Sequence, residues 1–325
     1  MRCRAAAIIP HWNRRDLLEP LFASLHSQTR VFDEIILVDN GSTDDSRALA
    51  TSLGARVLPL GENLGFAAAV NRGIESTTAD WIAILNNDVT LAPEWLERLL
   101  DTSSMFATGK ILNALDHSLI DATFDEISRG ACAWRCGQGK PDAPIWNQAR
   151  QIRFAPMTAA IFRRSIFERI GLLDENFGSY LEDVDFGIRC ALAGVEGAYI
   201  PAAIAYHRGS ATLGAWNSDT VKRIAQNQIL LTVKHFKGQP LWPIVAGQLL
   251  WGLVALRHFR GVSYLRGKFS GWNSARAFYR EKINIPEDRF SRFATASEQQ
   301  IFALQKQIGF DRYWRAYFWL LPRSS

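Results

Sequence analysis

Cysteine is scarce in this chain: Cys3, Cys132, Cys136 and Cys190 are the only four in 325 residues. Four thiols make no disulfide framework at this length, and Cys132 with Cys136 lacks the second close pair that a structural zinc site needs, so free thiols are expected. A clear membrane span is missing as well. Gly238 to Leu256 carries no charge, but two prolines and two glutamines interrupt it, which weakens it as a run of about 20 apolar residues. The apolar run near the N-terminus is too short for a secretion signal and is followed by Arg14 and Arg15, so a cytoplasmic location is expected. There is no G-x-G-x-x-G turn and no Walker lysine loop, which removes the main support for a dinucleotide oxidoreductase or a P-loop nucleotidase.

What is present suits a globular protein. With 48% hydrophobic and 21% charged residues, the chain buries a large core, and its length predicts one large domain with a smaller one. The net charge of +5 is modest for nucleic-acid binding, and no nucleic-acid partner is expected. It fits anionic partners such as phosphates or a lipid surface.

Trp81 to Thr90, WIAILNNDVT, organises the rest. Trp81 to Leu85 reads as a buried strand that runs into Asn86, Asn87 and Asp88. In open α/β sheets ligands collect beyond the carboxyl ends of strands, so Asp88 is a candidate ligand for Mg²⁺ or Mn²⁺, with a simple turn as the alternative. Ala5 to Pro10 and Glu34 to Asp39 read as two further strands joined by a helix, and Ala55 to Leu60 as another. Asp39 ends its strand in a polar loop, where it serves a nucleotide or caps a helix. Gly61 and Gly65 permit close backbone approach before a helix from Phe66, with Asn63, Asn71 and Arg72 as nearby polar groups.

Pro93 to Leu100 is predicted to be a helix and Ala107 to Leu112 a strand. Glycines and prolines break Ser128 to Arg150, which predicts a mobile loop over an acceptor, with Trp134 and Trp146 supplying aromatic contacts or packing on the core. Ile152 to Phe162 returns to a strand pattern. In SYLEDVDFGIRCALAGV, Val184, Ile188, Ala191, Leu192 and Val195 mark one helix face. Ser179 and Glu182 fit a capping box, Glu182 is also a candidate acceptor contact, and Asp185 pairs with Arg189. Asp183 falls in the first turn, where the helix dipole favours the ionised carboxylate that a general base requires; a solvated surface aspartate is the alternative. A last strand leads to His207, whose imidazole alone is as well read as a core or surface residue.

Pro10, Asn13, Asp39, Asn63-x-Gly65-Phe66, Asn87-Asp88, Glu182-Asp183-x-Asp185 and His207, in this order, resemble a family 2 glycosyltransferase. The likeness is to bacterial rhamnosyltransferase-like and galactofuranosyltransferase-like members, and it spans about Ala5 to Ser210. It implies the nucleotide-diphospho-sugar transferase, or glycosyltransferase A-type, α/β fold: a mixed, mainly parallel sheet with flanking helices. It also implies that Pro10, Asn13, Asp39, Asn63, Gly65, Asn71, Asn87 and Asp88 bind a nucleotide-sugar donor. Asn87-Asp88 stands for the family's Asp-x-Asp metal motif with its first acid replaced by asparagine, His207 is a second ligand to Mg²⁺ or Mn²⁺, and Asp183 is the base. The expected reaction is inverting transfer of a sugar, with rhamnose the best guess, to a hydroxyl of a glycan or lipid-linked glycan in bacterial surface polysaccharide synthesis. A sugar nucleotidyltransferase, a non-catalytic nucleotide-sugar-binding module and a membrane-surface scaffold are the alternatives.

A catalytic domain over 1–219 and a helical, basic and aromatic region over 220–325 are expected. In the second, Lys222, Arg223, Lys234, Lys237, Arg257, Arg260, Arg266 and Lys268 stand among Trp242, Trp251 and Trp272. That mixture suits the anionic inner face of the cytoplasmic membrane; packing on the catalytic domain or in a homo-oligomer is the competing reading.

Overall fold

Ala5–Ile9, Ile36–Val38 and Trp81–Leu85 are buried at every position, as expected of parallel strands covered on both faces. The computed structural model describes residues 3–209, 216–278 and 287–321. The chain divides into two units: Met1–Phe124 with Gly137–Thr212, and Asp125–Cys136 with Leu213–Ser325. The expected boundary at residue 219 therefore falls slightly earlier, and a short piece of the expected catalytic domain belongs with the C-terminal unit.

The first unit runs β1 (Ala5–His11), α1 (Leu18–His26), β2 (Glu34–Asp39), α2 (Ser46–Ser52), β3 (Arg56–Pro59) and α3 (Phe66–Glu75). It continues through β4 (Trp81–Leu85), β5 (Val89–Leu91), α4 (Trp95–Leu100), β6 (Phe106–Asn113) and β7 (Ile120–Ala122). After the inserted strands β8 (Asp125–Ile127) and β9 (Ala133–Arg135) come β10 (Arg150–Ile152), β11 (Ala159–Arg163), α5 (Arg164–Ile170), α6 (Glu182–Leu192) and β12 (Gly197–His207). The sheet order is β10-β12-β6-β11-β4-β1-β2-β3, with β5 on β12 and β7 on β6. Neighbours β4-β1-β2-β3 are parallel, as are β6 and β12, while β11 runs against both β4 and β6. The sheet is thus mixed and mainly parallel, as the resemblance implied.

This direction brings the carboxyl ends of β1, β2, β4 and β12 to one edge. His11 is opposite Asp39 in register, and His207 is opposite Val89, the residue after Asp88. β12 reaches that edge through a register shift between Ile200 and Ile204. There Ala203 O lies only 1.7 Å from where a Cβ on residue 109 would be, so Gly109 is required by close backbone approach. Trp95, Phe22 and Leu96 fill the core on one side of the sheet.

The second unit contains the β8–β9 hairpin and helices α7 (Ser218–His235), α8 (Leu241–Arg257), α9 (Gly261–Phe278), α10 (Glu287–Ile308) and α11 (Arg312–Leu320). Buried acids tie the hairpin to these helices. Ser297 accepts from Ile127 N and donates to Glu126, while Glu298 pairs with Arg129 at 2.6 Å and accepts from the Tyr317 hydroxyl at 2.6 Å. Carboxylates removed from water need such partners.

Two expectations fail here. The stretch 128–150 is no acceptor-covering loop: Trp146 is fully buried in the first unit, with its carbonyl accepting from Tyr199 at 2.8 Å, and Trp134 is buried edge-on against Trp314 in the second. Neither ring is available to an acceptor. The N-cap also falls at another residue than the expected Ser179. α6 starts at Glu182 behind Leu181, and Ser179 Oγ accepts from Phe66 N. Glu182, the first residue of α6, is buried, at 6% exposure. Among the described residues no helix is long and apolar enough to cross a membrane.

Candidate active site

Asp88 and His207 meet at the ends of neighbouring strands, with Oδ1 and Nε2 3.0 Å apart. The other imidazole nitrogen, Nδ1, is held 2.8 Å from Asp121 Oδ2. Asp121 lies on β7, so three strands fix this row of side chains. Burial pulls the imidazole pKa down, but the hydrogen bonds and charges of Asp121 and Asp88 outweigh it and raise His207 to about 9. The imidazole ring thus bridges two carboxylates, and both favour its charged form.

The same arrangement bears on a divalent metal. Asp121 fixes the ring so that Nε2 faces Asp88, a familiar way of orienting a histidine ligand. Among the described residues no group of three His, Cys, Asp or Glu side chains is arranged to hold an ion. The donor set is thus one carboxylate and one imidazole. That fits a Mn²⁺ or Mg²⁺ ion that takes its remaining oxygens from a diphosphate and water, and does not fit a closed structural site.

His11, which sequence reasoning passed over, is the centre of a second buried row. Asn87 Nδ2 donates to His11 Nδ1 at 3.0 Å, and His11 Nε2 lies 2.8 Å from Ser46 Oγ, which in turn bonds Asp44. Burial lowers the His11 pKa to about 4 against the opposing charges of Asp44, Asp39 and Asp16, so the ring is neutral at pH 7. A neutral ring accepts at Nδ1 and donates at Nε2, as both partners require. This row explains asparagine at position 87. A carboxylate there has no proton to offer Nδ1.

Asp39 is buried at the end of β2, with Oδ1 accepting from Ser42 N at 3.2 Å and Oδ2 3.7 Å from the exposed Arg47. Asn13 ties the loop after β1 to the loop after β2: its N–H donates to Ser42 Oγ and its Oδ1 accepts from Thr43 N. Pro10 is half-buried within β1. Asn13 and Arg14 both have positive φ, at 52° and 62°, a strained pair for residues with side chains and one that often marks a site. Arg14 bonds Asp16, and that bond, offset by some desolvation, together with the charges of Asp16 and Asp88 holds its guanidinium pKa above the ordinary value. The exposed Arg208 donates its backbone N–H to Asp88 O. Two cations thus stand by the carboxylate edge; the sequence signal was a basic residue directly after a strand-end motif.

The remaining candidates are connected by backbone contacts. Asn40 donates to Asn63 Oδ1 and Gly65 O, and Asn63 accepts from Gly65 N. Gly65, at φ 91°, lies so close to Gly178 that a Cβ would stand 2.9 Å from Gly178 O. Ala67 N donates to that same carbonyl. The segment that enters α6 is thereby fixed to the turn after β3, and Asp183 stands in the first turn of α6 at this end of the sheet. Tyr180 and Leu181 just before it have φ of 74° and 66°. Asp183 is half-buried, and its Oδ1 accepts from Val184 N at 2.8 Å. Asp185 is fully buried and pairs with Arg189 at 3.0 Å, as expected. Asn71 has another task than the expected one: buried in α3, its amide binds Leu173 O and Glu175 and accepts from Leu173 N. It braces the segment before α6 and is spent on that.

The glycosyl transferase family 2 model matches residues 6–171. The chain is similar to the N-acetylglucosaminyl-diphospho-decaprenol L-rhamnosyltransferase of Mycobacterium tuberculosis, with 30% identity over 84% of this chain and 94% of that protein. Among solved structures it is similar to GalNAc-T7 with UDP, GalNAc and Mn²⁺, at a TM-score of 0.64 and 13% identity over 95% of this chain and 58% of that one. It is also similar to the mannosyltransferase PcManGT from Pyrobaculum calidifontis with GDP-Man and Mn²⁺, at a TM-score of 0.53 and 16% identity over 98% and 86% of the two chains. These two likenesses concern the fold.

Proposed function

Because the chain belongs to glycosyl transferase family 2, we propose that it transfers a sugar, with rhamnose the best choice, from a nucleoside diphosphate to a hydroxyl of a lipid-linked glycan. The observation that carries this reading is the single sheet edge that gathers Asp39, Asp88, His207 and the segment entering α6. The mycobacterial relative's printed activity, on a diphospho-decaprenol acceptor, supports the acceptor class. A lipid-linked acceptor places the work at the inner face of the cytoplasmic membrane.

The chain's own residues divide the task. Asp39, Asn13 and the turn at Asn63-Leu64-Gly65 form the donor side, with Asp39 accepting from the nucleoside. Arg14 and Arg208 offer cations to the diphosphate oxygens, since guanidinium groups match phosphate geometry. Asp88 and His207 would hold Mn²⁺ or Mg²⁺, which when bound supplies positive charge to a diphosphate leaving group. Asp183, at the N-terminus of α6, takes the proton of the acceptor hydroxyl as that oxygen forms its bond to the anomeric carbon. The bond to the diphosphate breaks on the opposite face, so the configuration inverts. The donor should reveal itself in a thermal-shift panel of nucleotide sugars with Mn²⁺, because a ligand of the folded state alone raises the melting temperature by mass action. A hit should also release nucleoside diphosphate when a polyprenyl-diphosphate saccharide is added. If no nucleotide sugar shifts the melt or yields product, the reading fails.

A further inference from the structure

Helices α8 and α9 are apolar on the wrong side for water. On α8, Trp242, Val245, Leu249, Leu253 and Leu256 are exposed, Leu253 to 61%. Their spacing of three or four residues puts them in one stripe along the helix. On α9, Val262, Leu265, Phe269 and Trp272 form a second exposed stripe, Phe269 to 70%. The buried side of α9 carries Tyr264 beside smaller and more polar groups. A Cβ at Gly267 would stand 2.2 Å from Lys222 O and one at Gly271 2.7 Å from Gln226 O, so those glycines are where α9 meets α7. Lys268, on the same inner side, donates to Gln228 and Gln248. Water-soluble helices turn their large apolar groups inward; these two turn them out.

The link between the helices shares this character. Phe259 is 89% exposed and is held at φ 58°, a left-handed conformation that is unfavourable for a residue with a side chain. The charge along this part of the sequence is of one sign. Between Asp219 and Glu281 the sequence has ten Lys and Arg and no Asp or Glu, and Arg257 and Arg266 are exposed beside the two stripes.

We propose that the outward face of α8 and α9, with Phe259 between them, is a docking surface for an anionic phospholipid membrane and lies in the interface without crossing it. α8 has only 17 residues and α9 18, and neither is long and apolar enough to span. The stripes supply insertion, and the basic residues supply attraction to anionic headgroups. A second copy of the chain is the weaker occupant. Two-fold pairing through this face sets cation against cation, and neither α8 nor α9 has a carboxylate to set between them. The purpose of the docking rests on the lipid-linked acceptor proposed above, but the docking itself needs neither donor nor acceptor.

The test is co-sedimentation of the full chain with phosphatidylcholine vesicles, with and without phosphatidylglycerol. The wild type should pellet with the anionic vesicles and be partly released by salt. The triple variant Leu249→Glu, Leu253→Glu, Phe269→Glu should bind roughly 100-fold less, with an unchanged melting temperature because all three positions are exposed. Wild type that stays in the supernatant with anionic vesicles overturns the proposal. So does a wild-type dimer in sedimentation velocity that the triple variant dissolves while neither protein binds vesicles. A protein that pellets but transfers no sugar counts against the proposed reaction alone. One that transfers to a water-soluble acceptor but ignores vesicles counts against the docking surface alone.

Discussion

Asn87 gives its amide hydrogen to the bare Nδ1 of His11 across 3.0 Å, inside the fold and one residue before the metal-motif carboxylate. The pair works only while His11 is neutral. Its folded pKa of about 4 lies below the ordinary 6.5, so the unfolded chain binds more protons in between. Stability is therefore full above about pH 6.5 and is lost as pH falls toward 4, by roughly 3 kcal/mol for a shift of this size. His11→Gln should flatten that part of the melting-temperature profile. Asn87→Asp should destabilise the protein most at high pH and recover as acid protonates His11. An unchanged profile in both variants contradicts the pairing.

His207 has the opposite sign. Its pKa is raised to about 9, so in the metal-free protein its contribution is fully present below about pH 6.5 and is lost as pH rises through 9, again on the order of 3 kcal/mol. With EDTA present, the melting temperatures of wild type and His207→Gln should differ most at pH 6 and converge above pH 9. A gap that widens with pH contradicts the bridged imidazolium.

Metal binding should report the same residues. Titration of Mn²⁺ in the presence of UDP or dTDP should show no site in Asp88→Ala and a weakened one in His207→Ala. Asp121→Asn, which frees the ring without removing a donor, should weaken Mn²⁺ roughly 10- to 100-fold. Full activity of the wild type in EDTA would remove the metal role from all three.

Much of the sheet was legible because its strands are buried on both faces and end in turn residues. Glu34–Asp39 and Trp81–Leu85 have the predicted bounds, and α3 starts at Phe66 as read. The site was legible where one motif carries its own chemistry, as at Asp88. It was not legible where partners come from far along the chain. Asp121 is 86 residues from His207, and the row through His11 joins positions 35 and 76 residues away. No local pattern marks such pairs. The segment 128–150 misled for a related reason: its glycines and prolines signal a loop, while burial of Trp134 and Trp146 is decided by tertiary packing that holds three-residue strands in place. Ser179 fits an N-cap by spacing, but the helix starts behind Leu181, and the Ser179 hydroxyl accepts from the first residue of α3.

The most direct test of the central claim follows the anomeric proton of product by NMR during transfer from the nucleotide sugar, for wild type and Asp183→Asn. The wild type should give product of inverted configuration. The variant should keep its fold and donor binding and lose about 10²- to 10⁴-fold in rate, roughly 3 to 5 kcal/mol of barrier. Retained configuration in the wild type, or near-normal turnover by a folded Asp183→Asn protein, would contradict the account.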